Sequence, residues 1–418
     1  MSEAVLSPRA TASPDTHLSA RLALWFSCVG HTYSHLLVML YLTVVLALER
    51  EWGIGYAELL RLATVGALLF GAAALPMGWI GDRWSAVGMM VVYFLATGAT
   101  AILTGFARNP TEMMLGLAAI GLAASIYHPV GIAWLVRNAE QRGKALGING
   151  FFGALGVAGA SGVAGVLTDL VSWRAAFIVP GALCAATGVA LLACWRMGLV
   201  TDRRTDRVAV KPASRNDMVR AFFVLSLTML CAGIIYQGMS TVMPKLFAER
   251  LSGWTSGASS IGLLVMVIYV GSGLTQLFGG HMADRFPAKA VYVSMFALQV
   301  PFLAIGAVIG GPLIVPVMFA AAAANSMAVP AESALLTMYS PSKHRSLAFG
   351  AKFVISLGVA PLAIMLVAWV EQATGGFVLL FALLAAFAIT LVLAALLLPA
   401  ARPQDEAEQP APVAVAAE

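Results

Sequence analysis

The chain has 418 residues, of which 60% are hydrophobic and 11% charged, with a formal net charge of +5. Soluble globular chains run at about 45–50% apolar and about 25% charged, so too few polar side chains remain here to cover a water-facing surface, which excludes a soluble enzyme. A bilayer accepts such a chain as long helices, whose backbone bonds close internally while lipid solvates the side chains.

In chain order, residues 1–19 carry Ser, Pro, Asp, His and Arg without an apolar core, so they predict a cytoplasmic tail and not a secretory signal. Apolar runs long enough to cross the hydrocarbon layer follow at 20–48, 56–80, 87–107, 111–136, 144–169 and 174–196. A polar, basic stretch at 197–218 predicts a cytoplasmic linker. Six more runs lie at 219–247, 256–282, 289–310, 312–339, 347–370 and 374–398, and an Ala-, Pro- and Glu-rich tail occupies 399–418. The expected fold is an all-α integral membrane protein of 12 transmembrane helices, arranged as two pseudo-symmetric six-helix bundles over 20–196 and 219–398.

With both termini inside, 18 of the 25 Lys and Arg residues fall on the inner side. Six fall outside (Arg50, Arg61, Arg108, Arg174, Lys245 and Arg250), and Lys352 lies within a span. That bias fixes the expected orientation in a bacterial inner membrane. Cys28, Cys184, Cys194 and Cys231 sit in apolar runs without C-x-x-C spacing and read as packing residues.

The chain repeats itself at a spacing of about 200 residues. Gly78-Trp79-Ile80-Gly81-Asp82-Arg83 aligns with Gly280-His281-Met282-Ala283-Asp284-Arg285, and Tyr33, Pro129, Arg142 and Gly147 align with Tyr236, Pro330, Arg345 and Gly350. Such repeats place a substrate site at their interface near the bilayer midplane. The two G-x-x-x-D-R loops resemble the signature loop of the major facilitator superfamily, and the resemblance covers nearly the whole chain. It implies that fold, with Asp82, Arg83, Asp284 and Arg285 holding the inner gate and Arg142 and Arg345 as their partners. Trp84-Ser85-Ala86-Val87 departs from the family pattern, in which Gly and trailing basic residues follow the first loop. Within the superfamily, Gly30-His31-Thr32-Tyr33-Ser34-His35 and Tyr127-His128-Pro129 resemble the fosmidomycin-resistance type of efflux protein.

Ionisable groups at membrane depth are costly and mark working sites. Glu332 lies about nine residues before the inner loop at 340–345, hence roughly 13 Å deep at 1.5 Å per residue, and is the carboxylate placed well inside a span. Lys352, about seven residues past Arg345, lies at a depth of roughly 10 Å on the next span. The two charges are placed to meet, either as a structural pair or as a proton and substrate site. His31 and His35, four apart, share one helical face, and imidazoles change charge near neutrality. In the superfamily the first, fourth, seventh and tenth spans line the cavity. By resemblance, His31, His35, His128, Tyr33, Tyr127, Tyr236, Gln237 and Glu332 are expected to converge there, with Lys352 and with Asn149 of the fifth span as further binding residues.

The fifth span carries glycine at every third position from Gly147 to Gly165, a spacing that lets helices approach closely. It loosely resembles the family's antiporter signature but lacks its Gly-Pro. Gly143-Lys144-Ala145 has neither the glycine spacing nor the hydroxyl of a phosphate loop. His31 and His35 lack the Glu of a zinc-protease helix, so no metal is expected. The sequence thus predicts a secondary transporter without enzymatic activity or cofactor, working as a monomer in lipid without nucleic acid. Its expected partners are protons and a small organic substrate, with proton-coupled efflux as the first reading; the alternatives are proton-coupled import of an organic anion and flipping of a lipid-like molecule.

Overall fold

The structure, a computed structural model, describes residues 14–139, 141–201, 215–339, 352, 354–356 and 358–399. Arg345, the side chain of Arg142, Gly350, most of the linker and the far parts of both tails lie outside the described residues.

Twelve helices among the described residues are long and apolar enough to cross a bilayer. They are α1 (His17–Trp52), α2 (Tyr56–Arg83), α3 (Ala86–Thr104), α4 (Pro110–Asn138), α5 (Lys144–Leu170), α6 (Trp173–Arg196), α7 (Asn216–Arg250), α8 (Gly257–Arg285), α9 (Ala288–Val308), α10 (Gly311–Tyr339), α11 (Val354–Thr374) and α12 (Val378–Leu396). Their outer faces carry exposed Leu103, Leu183, Phe223, Val267, Leu277 and Trp369, the arrangement a lipid solvent favours.

Local chemistry sets the helix ends. Ser85, Asn109 and Ser172 each accept a hydrogen bond from a first-turn amide, that of Gly88, Glu112 and Ala175 respectively, and so start α3, α4 and α6. Hydropathy places the last span from residue 374, whereas α12 starts at Val378. Gly375 takes φ +67 and its N–H caps the Glu371 carbonyl, so α11 runs to Thr374 and the chain must turn before α12.

The two prolines that the repeat aligns behave differently. Around Pro129 the helix widens into a π turn over Tyr127–Gly131, since proline cannot donate to the i−4 carbonyl and its ring crowds that carbonyl. At Pro330 α10 stays α-helical.

The halves meet along two related seams, α5 against α8 and α2 against α11. Glycine makes the first seam possible. A Cβ on Gly262 would lie 2.2 Å from the Ser161 carbonyl oxygen, one on Gly165 2.3 Å from that of Ala258, and one on Gly162 2.5 Å from the Met266 sulfur. The α5 glycines divide the work, because a Cβ on Gly153 would lie 2.5 Å from the His31 ring and one on Gly156 2.4 Å from the Thr32 carbonyl oxygen of α1. Towards the other end of the same helices, Gly147, Gly150 and Gly280 face open space.

Among the described residues, polar contacts between the halves likewise gather at one end. Lys245 bonds both carboxylate oxygens of Glu49 at 2.8 Å, Arg61 donates to Gln372, and Tyr56 donates to the Thr241 carbonyl at 3.3 Å. Asp169, at the end of α5, accepts from the Ser259 and Ala258 amides at 2.7 and 3.1 Å and so caps α8 from the opposite half. Gly257, at φ +77 with space for no Cβ beside Asp169, admits that carboxylate. A cap of this kind contributes about 1 kcal/mol. Asp169→Ala is therefore expected to shift the population away from this closed end by roughly fivefold, read as faster thiol labelling of a cysteine placed at position 259.

Candidate functional site

One cluster occupies the centre of the first half. The i, i+4 spacing puts His31 and His35 on one face of α1, with their Nε2 atoms 3.2 Å apart. His31 Nδ1 lies 2.8 Å from the Asn149 backbone carbonyl. A carbonyl only accepts, so His31 donates from Nδ1 and its Nε2 accepts from His35 in the neutral pair. The π turn of α4 brings His128 alongside, its ring centroid 5.3 Å from each of the other two imidazoles.

Tyr127 stacks on His31 at 5.0 Å, donates to the Ser27 carbonyl at 2.8 Å and accepts from Asn149 Nδ2 at 2.8 Å. Gly30 and Gly131 clear the space for the Tyr127 ring. His31, His128, Tyr127 and Asn149 are buried, while His35 is half-buried. Tyr33 stands apart from this group: two residues along a helix rotate a side chain by about 200°, and its ring packs against Phe94 at 6.3 Å within the first half.

His35 has a second role as a wall of a chamber of about 60 Å³ where the halves meet. Phe70 of α2, Leu117 and Ile120 of α4, Tyr236, Gln237 and Thr241 of α7 and Ile364 of α11 also line it. The lining is apolar except for His35, Tyr236, Gln237 and Thr241, and the volume suits a few waters. Phe70 links the two places, since its ring also lies 5.7 Å from His128.

Glu332 and Lys352 do not join this group. They meet each other inside the second half, with Lys352 Nζ 2.9 Å from Glu332 Oε1 and the two side chains 11% and 9% exposed. Tyr292 of α9 donates to Glu332 Oε2 at 3.1 Å, and Lys352 also donates to Ser333 Oγ at 3.1 Å. The sequence thus suggests one convergent centre where the structure holds two. Helix rotation within the second bundle turns Glu332 towards Tyr292 of α9 and Lys352, which precedes α11. Tyr292 was not among the predicted residues; the signal for it is a tyrosine in an apolar run, whose hydroxyl needs a partner when buried.

The signature loops lie at the end of the helices away from those contacts between the halves. Arg83 folds back over the Trp79 ring, 3.9 Å from its centroid, and donates to the Trp79 carbonyl. Asp284 and Arg285 line a cavity of about 700 Å³ with Phe286, Lys289 and Tyr339. Asp82, Arg83, Asp284 and Arg285 are exposed, and the partners expected for them, Arg142 and Arg345, fall where no side chain is described.

The family model of the Major Facilitator Superfamily matches residues 27–259 and 253–417. The puromycin resistance protein of Streptomyces alboniger is 28% identical over 239 residues, 55% of this chain and 43% of that protein. A probable L-galactonate transporter of Escherichia coli is 26% identical over 178 residues, 41% of this chain and 37% of that one. A probable sulfoacetate transporter of Cupriavidus necator is 25% identical over 140 residues, 32% of each. The chain thus spans less than half the length of these relatives. Among solved structures, a bacterial homolog of the human lysosomal transporter Spinster in an inward-facing, occupied conformation superposes with TM-score 0.69 at 14% identity, covering 93% of this chain and 95% of that one. Its unoccupied form gives 0.67 at 13% identity with the same coverage.

Proposed function

Because the chain belongs to the major facilitator superfamily, we propose that it exports a small, partly apolar organic compound by alternating access, driven by the proton gradient. The observation that carries this reading is the Glu332–Lys352 pair at 2.9 Å. Glu332 is the one carboxylate in the buried set among the described residues, and ionisable groups are kept at such depth for work. A proton on Glu332 removes its attraction for Lys352 and leaves the ammonium with Ser333 as its remaining partner. That change of charge loosens the tie between α10 and Lys352, which is how proton entry would drive a change of conformation.

The apolar lining of the chamber supports the substrate class, with His35, Tyr236, Gln237 and Thr241 supplying a few orienting polar groups. The partial likeness to a puromycin resistance protein supports it as well. The positive-inside bias places both termini and the signature loops in the cytoplasm. The signature loops then face the cytoplasm, the side from which an exporter loads. In the opposite state Asp82, Arg83, Asp284 and Arg285 would close that end with Arg142 and Arg345. The bundle works as a monomer in a bacterial inner membrane.

Everted membrane vesicles test this with puromycin as probe. Uptake is expected to follow the proton gradient, to collapse with a protonophore, and to be lost in Glu332→Gln. Gradient-independent uptake, or uptake unaltered by that substitution, overturns the reading.

Lys352 favours a second reading, proton-coupled import of an organic anion, because an ammonium released from its carboxylate is a ready anion partner. Proteoliposomes that accumulate sulfoacetate or L-galactonate under an inward proton gradient, with loss of accumulation in Lys352→Ala, would put import in place of export.

A further inference from the structure

We propose that His31, His35 and His128 form a binding site for a divalent transition-metal ion of the Zn²⁺ type. Each imidazole offers one nitrogen, and the three nitrogens lie within 4.8 Å of one another. Two bonds of about 2.05 Å meeting at a tetrahedral angle set nitrogens roughly 3.3 Å apart, and His31 Nε2 and His35 Nε2 are separated by 3.2 Å. The same separation that serves as a hydrogen bond between two imidazoles is thus the edge of a tetrahedral metal site.

The surroundings are those that metal-ligating histidines need. Such a residue usually donates its second ring N–H to a carbonyl or carboxylate, which fixes the tautomer and aims the other lone pair. His31 does this, its Nδ1 donating at 2.8 Å to the Asn149 backbone carbonyl, so Nε2 carries the lone pair towards His35. Asn149 is itself held by Tyr127 at 2.8 Å. Gly153 leaves the His31 ring its place, since a Cβ there would lie 2.5 Å from Cε1. His128 arrives on the π turn at Tyr127–Gly131, and such turns collect at functional positions.

Binding needs no change in the charge of the imidazoles. The proton that His35 holds on Nε2 moves to its Nδ1, and both Nε2 lone pairs become available to the ion. Three neutral imidazoles leave a fourth position, as in zinc sites that hold water or substrate. Because His35 also lines the chamber with Tyr236, Gln237 and Thr241, the fourth ligand is a water in that chamber.

The test uses the full-length purified protein in detergent, with Co²⁺ as spectroscopic probe and Zn²⁺ as competitor. One equivalent of Co²⁺ is expected, with the intense visible bands of tetrahedral coordination, displaced by stoichiometric Zn²⁺. His35→Ala and His128→Ala are each expected to weaken binding by about 100-fold or more while eluting as the same monodisperse species. The spectrum of the unsubstituted protein decides independently of whether the variants fold. Octahedral Co²⁺ bands, no Co²⁺ retained after desalting, or equal retention in both monodisperse variants overturns the site. Glu332→Gln leaves the three ligands untouched and is expected to bind Co²⁺ as the parent does, which separates this result from the proton-coupling test.

Discussion

Lys352→Met is expected to destabilise the protein by about 3–5 kcal/mol, the range measured when one partner of a buried ion pair is removed. The carboxylate of Glu332 then keeps Tyr292 as its bonding partner at 3.1 Å and is left as an uncompensated charge among Ala328, Ala331 and Leu335. Glu332→Gln has a similar cost for the opposite reason, since the ammonium loses its counter-charge at 2.9 Å. The combination Glu332→Gln with Lys352→Met removes both charges and keeps the volume, a replacement that is often neutral in stability.

Thermal unfolding of the three variants followed by tryptophan fluorescence therefore separates two roles. Midpoints should fall in the single variants and recover in the double one, while proton-driven transport stays lost in all three. A stable double variant that still transports with the parent's pH dependence would reduce the pair to a structural strut.

Gly262→Val is expected to force the closed end apart and abolish transport. Even the first carbon of the new side chain would sit 2.2 Å from the Ser161 carbonyl oxygen of the opposite half. Backbone cannot yield there as a flexible side chain does, because Gly165 and Ala258 make the next contact along the same seam. Interfaces of this kind have a small number of packings and do not deform continuously, so the halves should move to the state in which α5 and α8 part.

Spin labels at exposed positions 170 and 254, on either side of that end, provide the measurement. The distance between them should lengthen in Gly262→Val and stay unchanged in Gly150→Ala, whose added carbon meets open space. An unchanged distance in the valine variant would show that the seam does not control closure.

Much of this architecture is written in local sequence. A span needs about 20 apolar residues in a row, and that condition is met twelve times without reference to any neighbour, so helix number could be read directly. Chain ends of helices were harder: Gly375 and the Gly-rich turn before α12 moved a boundary because the decision lies in a backbone angle and not in hydropathy. The offset of about 200 residues likewise exposed the duplicated bundle and the paired signature loops.

Composition and spacing also marked the rare charges, Glu332 and Lys352, and the two imidazoles four residues apart on α1. Lateral contact is a different matter, because the direction a side chain takes in a bundle depends on how each helix is rotated by packing against its neighbours. Only the tertiary structure set His128 beside His31 and His35, turned Tyr33 away from them, gave Glu332 to Tyr292 and Lys352 instead of the chamber, and divided one glycine row between α1 and α8. Hydrophobic length is a sum along the chain, whereas a site is an intersection of faces from helices far apart in sequence.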